Sequence, residues 1–172
     1  MKNTRILVFL GILTSMYVVL NFILDIPLTP SARIRFNFLP LSFAAGLFGP
    51  LLGGLVGAVG DVLAWVISPK GAYFPGLTLS AFISGLIYGL FFYKQSKSVL
   101  RISLTVLIVS ILIDLGLNTY WMTFIYGQGF MAILPTRLLK TAIMIPVQIS
   151  MIFALWRYAG PLIENNFIKK NV

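Results

Sequence analysis

The stretch FNFLPLSFAAGLFGPLLGGLVGAVGDVLAWVI, Phe36 to Ile67, decides how this chain is read. It runs for about 32 residues with a single charge, Asp61, whereas one helix needs only ~20 apolar residues to cross a bilayer. Gly49-Pro50 and Gly53-Gly54 stand in its middle, and such pairs interrupt helices. The stretch therefore reads as a tight helical hairpin. A short apolar span, Phe36–Gly49 with Pro40 inside it, is followed by a second span, Leu51–Ile67.

Four further apolar runs flank the hairpin: Ile6–Leu24 before it, and Leu77–Tyr93, Ile102–Tyr126 and Ile133–Tyr158 after it. The first follows Lys2 and Arg5 and so imitates a signal peptide. At about 19 residues it exceeds a typical apolar signal region, and no small-residue cleavage site follows. The fifth run is long enough to span with tilt. The sixth carries Pro135 in its first turn and Pro146 as an expected kink. Neither internal repeats nor low-complexity segments are evident. The chain is expected to be an all-α integral membrane protein with six transmembrane helices, forming one transmembrane substrate-binding domain over residues 1–172.

Composition agrees. The 172 residues are 59% apolar and only 10% charged, where soluble domains carry about a quarter charged residues. A chain this short leaves roughly a third of its surface solvent-facing, so the solvent is read as lipid and the location as the cell membrane, multi-pass. There is no cysteine and no histidine. Disulfides, thiolate or imidazole metal sites and a Ser-His triad are therefore absent. Only Asp25, Asp61, Asp114 and Glu164 are acidic. No catalytic residue, metal site or cofactor is assigned. A rhomboid-like intramembrane protease is disfavoured, and with no GxxxxGK[ST] motif the chain itself has no P-loop for ATP.

The net charge of +9 is a topology signal rather than a nucleic-acid footprint. With six spans, Lys2, Arg5, Lys94, Lys97, Arg101, Arg157, Lys169 and Lys170 share one side. Arg33, Arg35 and Lys70 lie on the other. Eight against three puts both termini in the cytoplasm. The outward loops are then Asp25–Arg35, stiffened by Pro27 and Pro30, together with Ser68–Gly76 and Gly127–Ala132.

Apart from Arg157 at the cytoplasmic end of the sixth, four charges remain inside spans: Asp61, Asp114, Arg137 and Lys140. Each costs roughly 2.5–3.5 kcal/mol at a helix centre on insertion scales, so each needs a partner, a wet cavity or a ligand. All four fall in the outer half of the membrane or at its centre. Asn118 and Trp121 follow Asp114 at i+4 and i+7, and Trp65 lies one turn outward of Asp61. Tyr73 and Phe74 add rings from the neighbouring loop. Carboxylates that accept paired N–H groups, rings that sandwich a heterocycle and cations that grip an anion form a pocket for a flat, polar, anionic small molecule. Taken singly, the same residues have structural roles: an Asp114–Lys140 ion pair, Arg137 snorkelling to the interface, Trp121 in an aromatic belt.

Small residues recur at four-residue spacing: Gly53, Gly57 and Asp61 on span three; Ala81, Gly85 and Gly89 on span four; Gly11 and Ser15 on span one. Such stripes bring helices close. On spans three and four they read as internal packing. Gly11 and Ser15 are candidates for contact with another membrane protein.

Two motifs carry a resemblance. Gly49-Pro50-Leu51-Leu52-Gly53-Gly54 through Gly60-Asp61 is similar to the S components of energy-coupling factor (ECF) transporters. So is Ala72-Tyr73-Phe74-Pro75-Gly76-Leu77-Thr78-Leu79-Ser80-Ala81 with Gly85-Leu86-Ile87-Tyr88-Gly89. The second motif most resembles the folate-specific members. The resemblance implies a vitamin-binding subunit that takes folate from outside, docks on a membrane T component driven by two cytosolic ATPase subunits, and topples to release its cargo inward. It implies Asp61 or Asp114, with Asn118, for the pterin's amino edge, and Trp65, Tyr73, Phe74 and Trp121 for stacking. Arg35, Arg137 and Lys140 would take the glutamate carboxylates, with the loops Asp25–Arg35 and Ser68–Gly76 as gate. Gly11 and Ser15 stand where the family's Ala-xxx-Ala contact with the T component is expected; the small spacing is kept, the alanines are not. The alternatives are an S component for thiamin, pantothenate or a pyrimidine precursor, or a stand-alone proton-coupled carrier using Asp61 and Asp114.

Overall fold

The structure, a computed structural model, describes residues 2–29, 32–69 and 73–160. Lys70, Glu164, Lys169, Lys170 and the Ala72 of the second motif lie outside these.

Helix α1 (Lys2–Ile23) leads into a two-stranded antiparallel hairpin, β1 (Ile26–Thr29) and β2 (Ala32–Ile34). Ile26 pairs with Ile34 and Pro27 with Arg33. The segment expected to be a stiff loop is thus a small ribbon. Helix α2 (Phe38–Phe48) and helix α3 (Pro50–Ile67) are joined by Gly49 alone. Gly49 has φ +97°, a conformation that side chains resist. Its N–H bonds to Ala45 and its carbonyl accepts from Gly53, so one residue ends one helix and starts the next. Pro50 takes the first helical position, where its missing N–H costs nothing.

At 11 residues, α2 reaches only about 16 Å at 1.5 Å per residue, little more than half the hydrocarbon thickness. It is shielded from lipid, being packed against α1, α3, α4 and α7. Pro40, Leu41, Phe43, Ala44 and Ala45 are all buried.

Helix α4 (Pro75–Phe92) packs along α3 with almost no side chain between them. A Cβ on Gly85 would collide with the Gly53 backbone, and one on Gly89 with Pro50. A Cβ on Gly57 would stand 2.5 Å from the Ala81 carbonyl. The small-residue stripes of α3 and α4 are helix–helix seams.

The fifth span has three parts: α5 (Val99–Val109), a π-helical segment (Ser110–Leu117) and α6 (Asn118–Tyr126). The sequence suggested one continuous helix. Helix α7 (Phe130–Tyr158) begins three residues before Ile133, so Pro135 sits in its second turn rather than its first. Ile133, Arg137, Thr141, Met144, Gln148, Ile152 and Trp156 form its buried stripe. Outward-facing positions such as Leu7, Leu90, Leu100 and Leu139 are exposed and apolar, as lipid contact requires.

Candidate ligand-binding cavity

A cavity of about 490 Å³ opens between α1, the β-ribbon, α3, α4, the fifth span and α7, within the size of small-molecule sites. Of the residues expected to bind ligand, Arg35, Asp61, Trp65, Tyr73, Phe74, Asp114, Asn118, Arg137 and Lys140 all line it.

Trp121 does not. Because the π segment that carries Asp114 turns less per residue than an α-helix, Met122, at i+8 from Asp114, faces the cavity, and Trp121 turns to α4. Its indole N–H donates to Ser80 Oγ at 3.2 Å and its ring lies 5.5 Å from that of Phe74. It braces the wall from behind.

On the α3 side, Thr78 Oγ1 donates to Asp61 Oδ2 at 2.8 Å. A hydroxyl has one proton, so the Tyr73 hydroxyl, 3.0 Å from Thr78 Oγ1, is the donor of that second bond. The relay Tyr73–Thr78–Asp61 links the mouth of the cavity to its carboxylate. It uses one carboxylate oxygen and leaves the other for a second donor. The Trp65 and Tyr73 rings stand 5.2 Å apart beside it.

Across the cavity, Asn118 Nδ2 donates to Asp114 Oδ1 at 3.3 Å. Arg137 Nη2 bonds to the backbone carbonyl of Asp114 at 3.1 Å. Arg137 is buried, so it does not snorkel to the interface. Lys140 and Asp114 form no ion pair among the described residues. At the mouth, the buried Asp25 carboxylate holds Arg33 and Arg35, with Oδ1 3.3 Å and 3.7 Å from their Nε atoms.

Among the described residues, the buried uncharged wall atoms Tyr88 Oη, Asn118 Oδ1 and Gln148 Oε1 have no hydrogen-bond partner. Buried polar groups are nearly always paired, so these are open to a ligand's polar edge. Sequence reasoning missed Tyr88, Gln148, Thr78, Arg33 and Asp25 as site residues. Gln148 was reachable: Arg137, Lys140, Met144 and Gln148 follow one another on one helix face. Thr78 and Tyr88 give no such signal, being ordinary residues of an apolar span.

Six membrane helices enclosing one cavity that offers carboxylates, cations and aromatic faces define a membrane-embedded solute-binding subunit. The family model described as "ECF-type riboflavin transporter, S component" matches residues 1–155. The chain belongs to this S-component family. A "Folate transporter FolT" of Clostridium novyi (strain NT) is 41% identical over 170 residues, covering 99% of this chain and 98% of its own. A protein of the same name from Leuconostoc mesenteroides subsp. mesenteroides is 34% identical over 159 residues, covering 89% and 85%. Among solved structures, a crystal structure of FolT bound with folic acid superposes with a TM-score of 0.82 at 36% identity, covering 87% of this chain and 90% of that one.

Proposed function

We propose that this chain binds folate from the outer side of the cell membrane and delivers it inward after docking on a T component driven by two cytosolic ATPase subunits. One observation carries the substrate: the cavity holds carboxylates and cations on separate wall elements, with aromatic rings beside them. Folate has the matching parts. Its pterin edge donates N–H groups, its rings are flat, and its glutamate carries two carboxylates. Both FolT relatives and the structure with folic acid support that choice.

Asp61 or Asp114, with Asn118, receives the pterin's amino edge. Trp65, Tyr73 and Phe74 cover the rings. Arg35 and Lys140, joined by Arg33, take the glutamate carboxylates. The β-ribbon and the α3–α4 loop serve as gate. Both termini are cytoplasmic by the charge count. Gly11 and Ser15 face outward from α1, with no neighbour within 4 Å of a Cβ added at Gly11. Ser15 Oγ donates to the Gly11 carbonyl at 2.9 Å, so this strip is smooth and internally bonded. It is the surface proposed to meet the T component.

A titration of purified protein with folate, riboflavin, thiamin and pantothenate tests the substrate. Sub-micromolar binding of folate alone is expected. Tight binding of another vitamin with none of folate overturns it. Uptake by a proton gradient in vesicles without any ATPase would sink the docking scheme.

A further inference from the structure

The fifth span changes register on its way past the cavity. Val109, Asp114, Asn118, Met122 and Ile125 line it. The first step is five residues long, and the others are four or three. An α-helix stacks residues at i+3 and i+4 on one face. Continued unbroken from Val109, it would present Ile113, Leu117, Tyr120 and Phe124 instead. Tyr120 and Phe124 are 51% and 60% exposed on the far side. The π segment Ser110–Leu117 absorbs one extra residue, and one residue is worth about 100° of helix rotation.

In this segment the Asn118 N–H reaches back five residues to the Ile113 carbonyl rather than four to Asp114. The Asp114 carbonyl accepts instead from Thr119 Oγ1 at 3.2 Å and from Arg137 Nη2 at 3.1 Å. Arg137 is 5% exposed, within the buried stripe of α7 and two turns from the helix start. A buried cation requires hydrogen-bonding partners, and the carbonyl released by the π turn is one. Irregular turns of this kind persist where something holds them.

We infer that Arg137 is a positioning residue. Docked on the Asp114 carbonyl, it holds the π turn and so keeps Asp114, Asn118 and Met122 turned toward the cavity. Without it the carbonyl returns to the Asn118 N–H, the helix closes to a plain α form, and the polar face rotates out of the cavity. The inference deepens the binding proposal and rests on it only for the identity of the cargo.

The chain has no cysteine, so a single one at Met122 reports on the cavity face without a ligand. In detergent-solubilised protein, M122C should react readily with a small charged methanethiosulfonate reagent. Adding R137Q should slow that reaction at least tenfold, and R137K, which keeps a donor, should retain most of it. Deleting Ile111, which is exposed, removes the one residue the π turn absorbs. A plain α-helix then presents the same face. The deletion should restore labelling in R137Q and, made alone, leave M122C reactive. Wild-type labelling of R137Q overturns the inference, as does failure of the deletion to rescue a folded R137Q. Loss of labelling in the deletion alone also overturns it, which decides the matter even if R137Q does not fold. Folate titration of the chain with its own Met122 is scored separately. No folate binding by the wild type, with labelling as expected, removes the cargo and keeps the role of Arg137.

Discussion

Asp25 Oδ1 stands 3.3 Å from Arg33 Nε, and the carboxylate is all but inaccessible while the guanidinium is about a quarter exposed. The same oxygen lies near Arg35. One acid at the end of α1 thus aims two cations of the ribbon at the mouth of the cavity. Asp25→Asn is expected to weaken folate binding about tenfold, or ~1.4 kcal/mol. The loss should fall mainly on dissociation, because a buried charge partner that aligns the two cations acts once the anion is bound, while removing its negative charge does not weaken the mouth's pull on an anion. Stopped-flow tryptophan fluorescence at two salt concentrations checks it. An unchanged dissociation rate would count against the aligning role.

Thr78 is the link between Tyr73 and Asp61. Thr78→Val keeps the shape and removes the hydroxyl. Hydrogen bonds to charged groups are worth about 1.5–3 kcal/mol, so binding should fall roughly tenfold to a hundredfold. Thr78→Ser should recover most of it. Equal losses in Val and Ser variants, measured by calorimetric titration, would show that only packing matters there.

Gly85 touches the Gly53 backbone. Gly85→Val must separate α3 from α4 and is expected to destabilise the fold by on the order of 3 kcal/mol. Thermal unfolding in detergent should show a fall of many degrees. Gly11→Ala is the control, since nothing stands within 4 Å of the added carbon.

Gly11→Leu separates binding from transport. Purified protein should bind folate as the wild type does, since Gly11 is remote from the cavity wall. Co-purification with the T component and folate uptake by cells should both drop at least tenfold. Normal uptake would remove Gly11 from the docking surface.

Apolar run length and the Gly49-Pro50 break made the helical architecture legible, because a bilayer sets a length scale that composition must obey. Charge made half the site legible: Asp61, Asp114, Arg137 and Lys140 are too costly in lipid to be idle, and all four line the cavity. What the sequence hid was uncharged or irregular. Thr78 and Tyr88 cost little in an apolar span, so they carry no mark. The π turn has no sequence signature, and without it the phase of Trp121 could not be assigned. Asp25 reads as a loop residue until the ribbon pairing folds Arg33 and Arg35 back over it.

The burial of α2 also bears on how the molecule is assembled. Eleven residues are too few to partition into a bilayer alone, and its neighbours on three sides, α3, α4 and α7, are synthesised after it. During translation α2 has no finished home. The single-residue joint at Gly49 ties its fate to α3, which is long enough to insert. The two segments therefore leave the translocation machinery as one unit, and the inner layer of the protein closes only when α7, the last of the described helices, comes to rest against it.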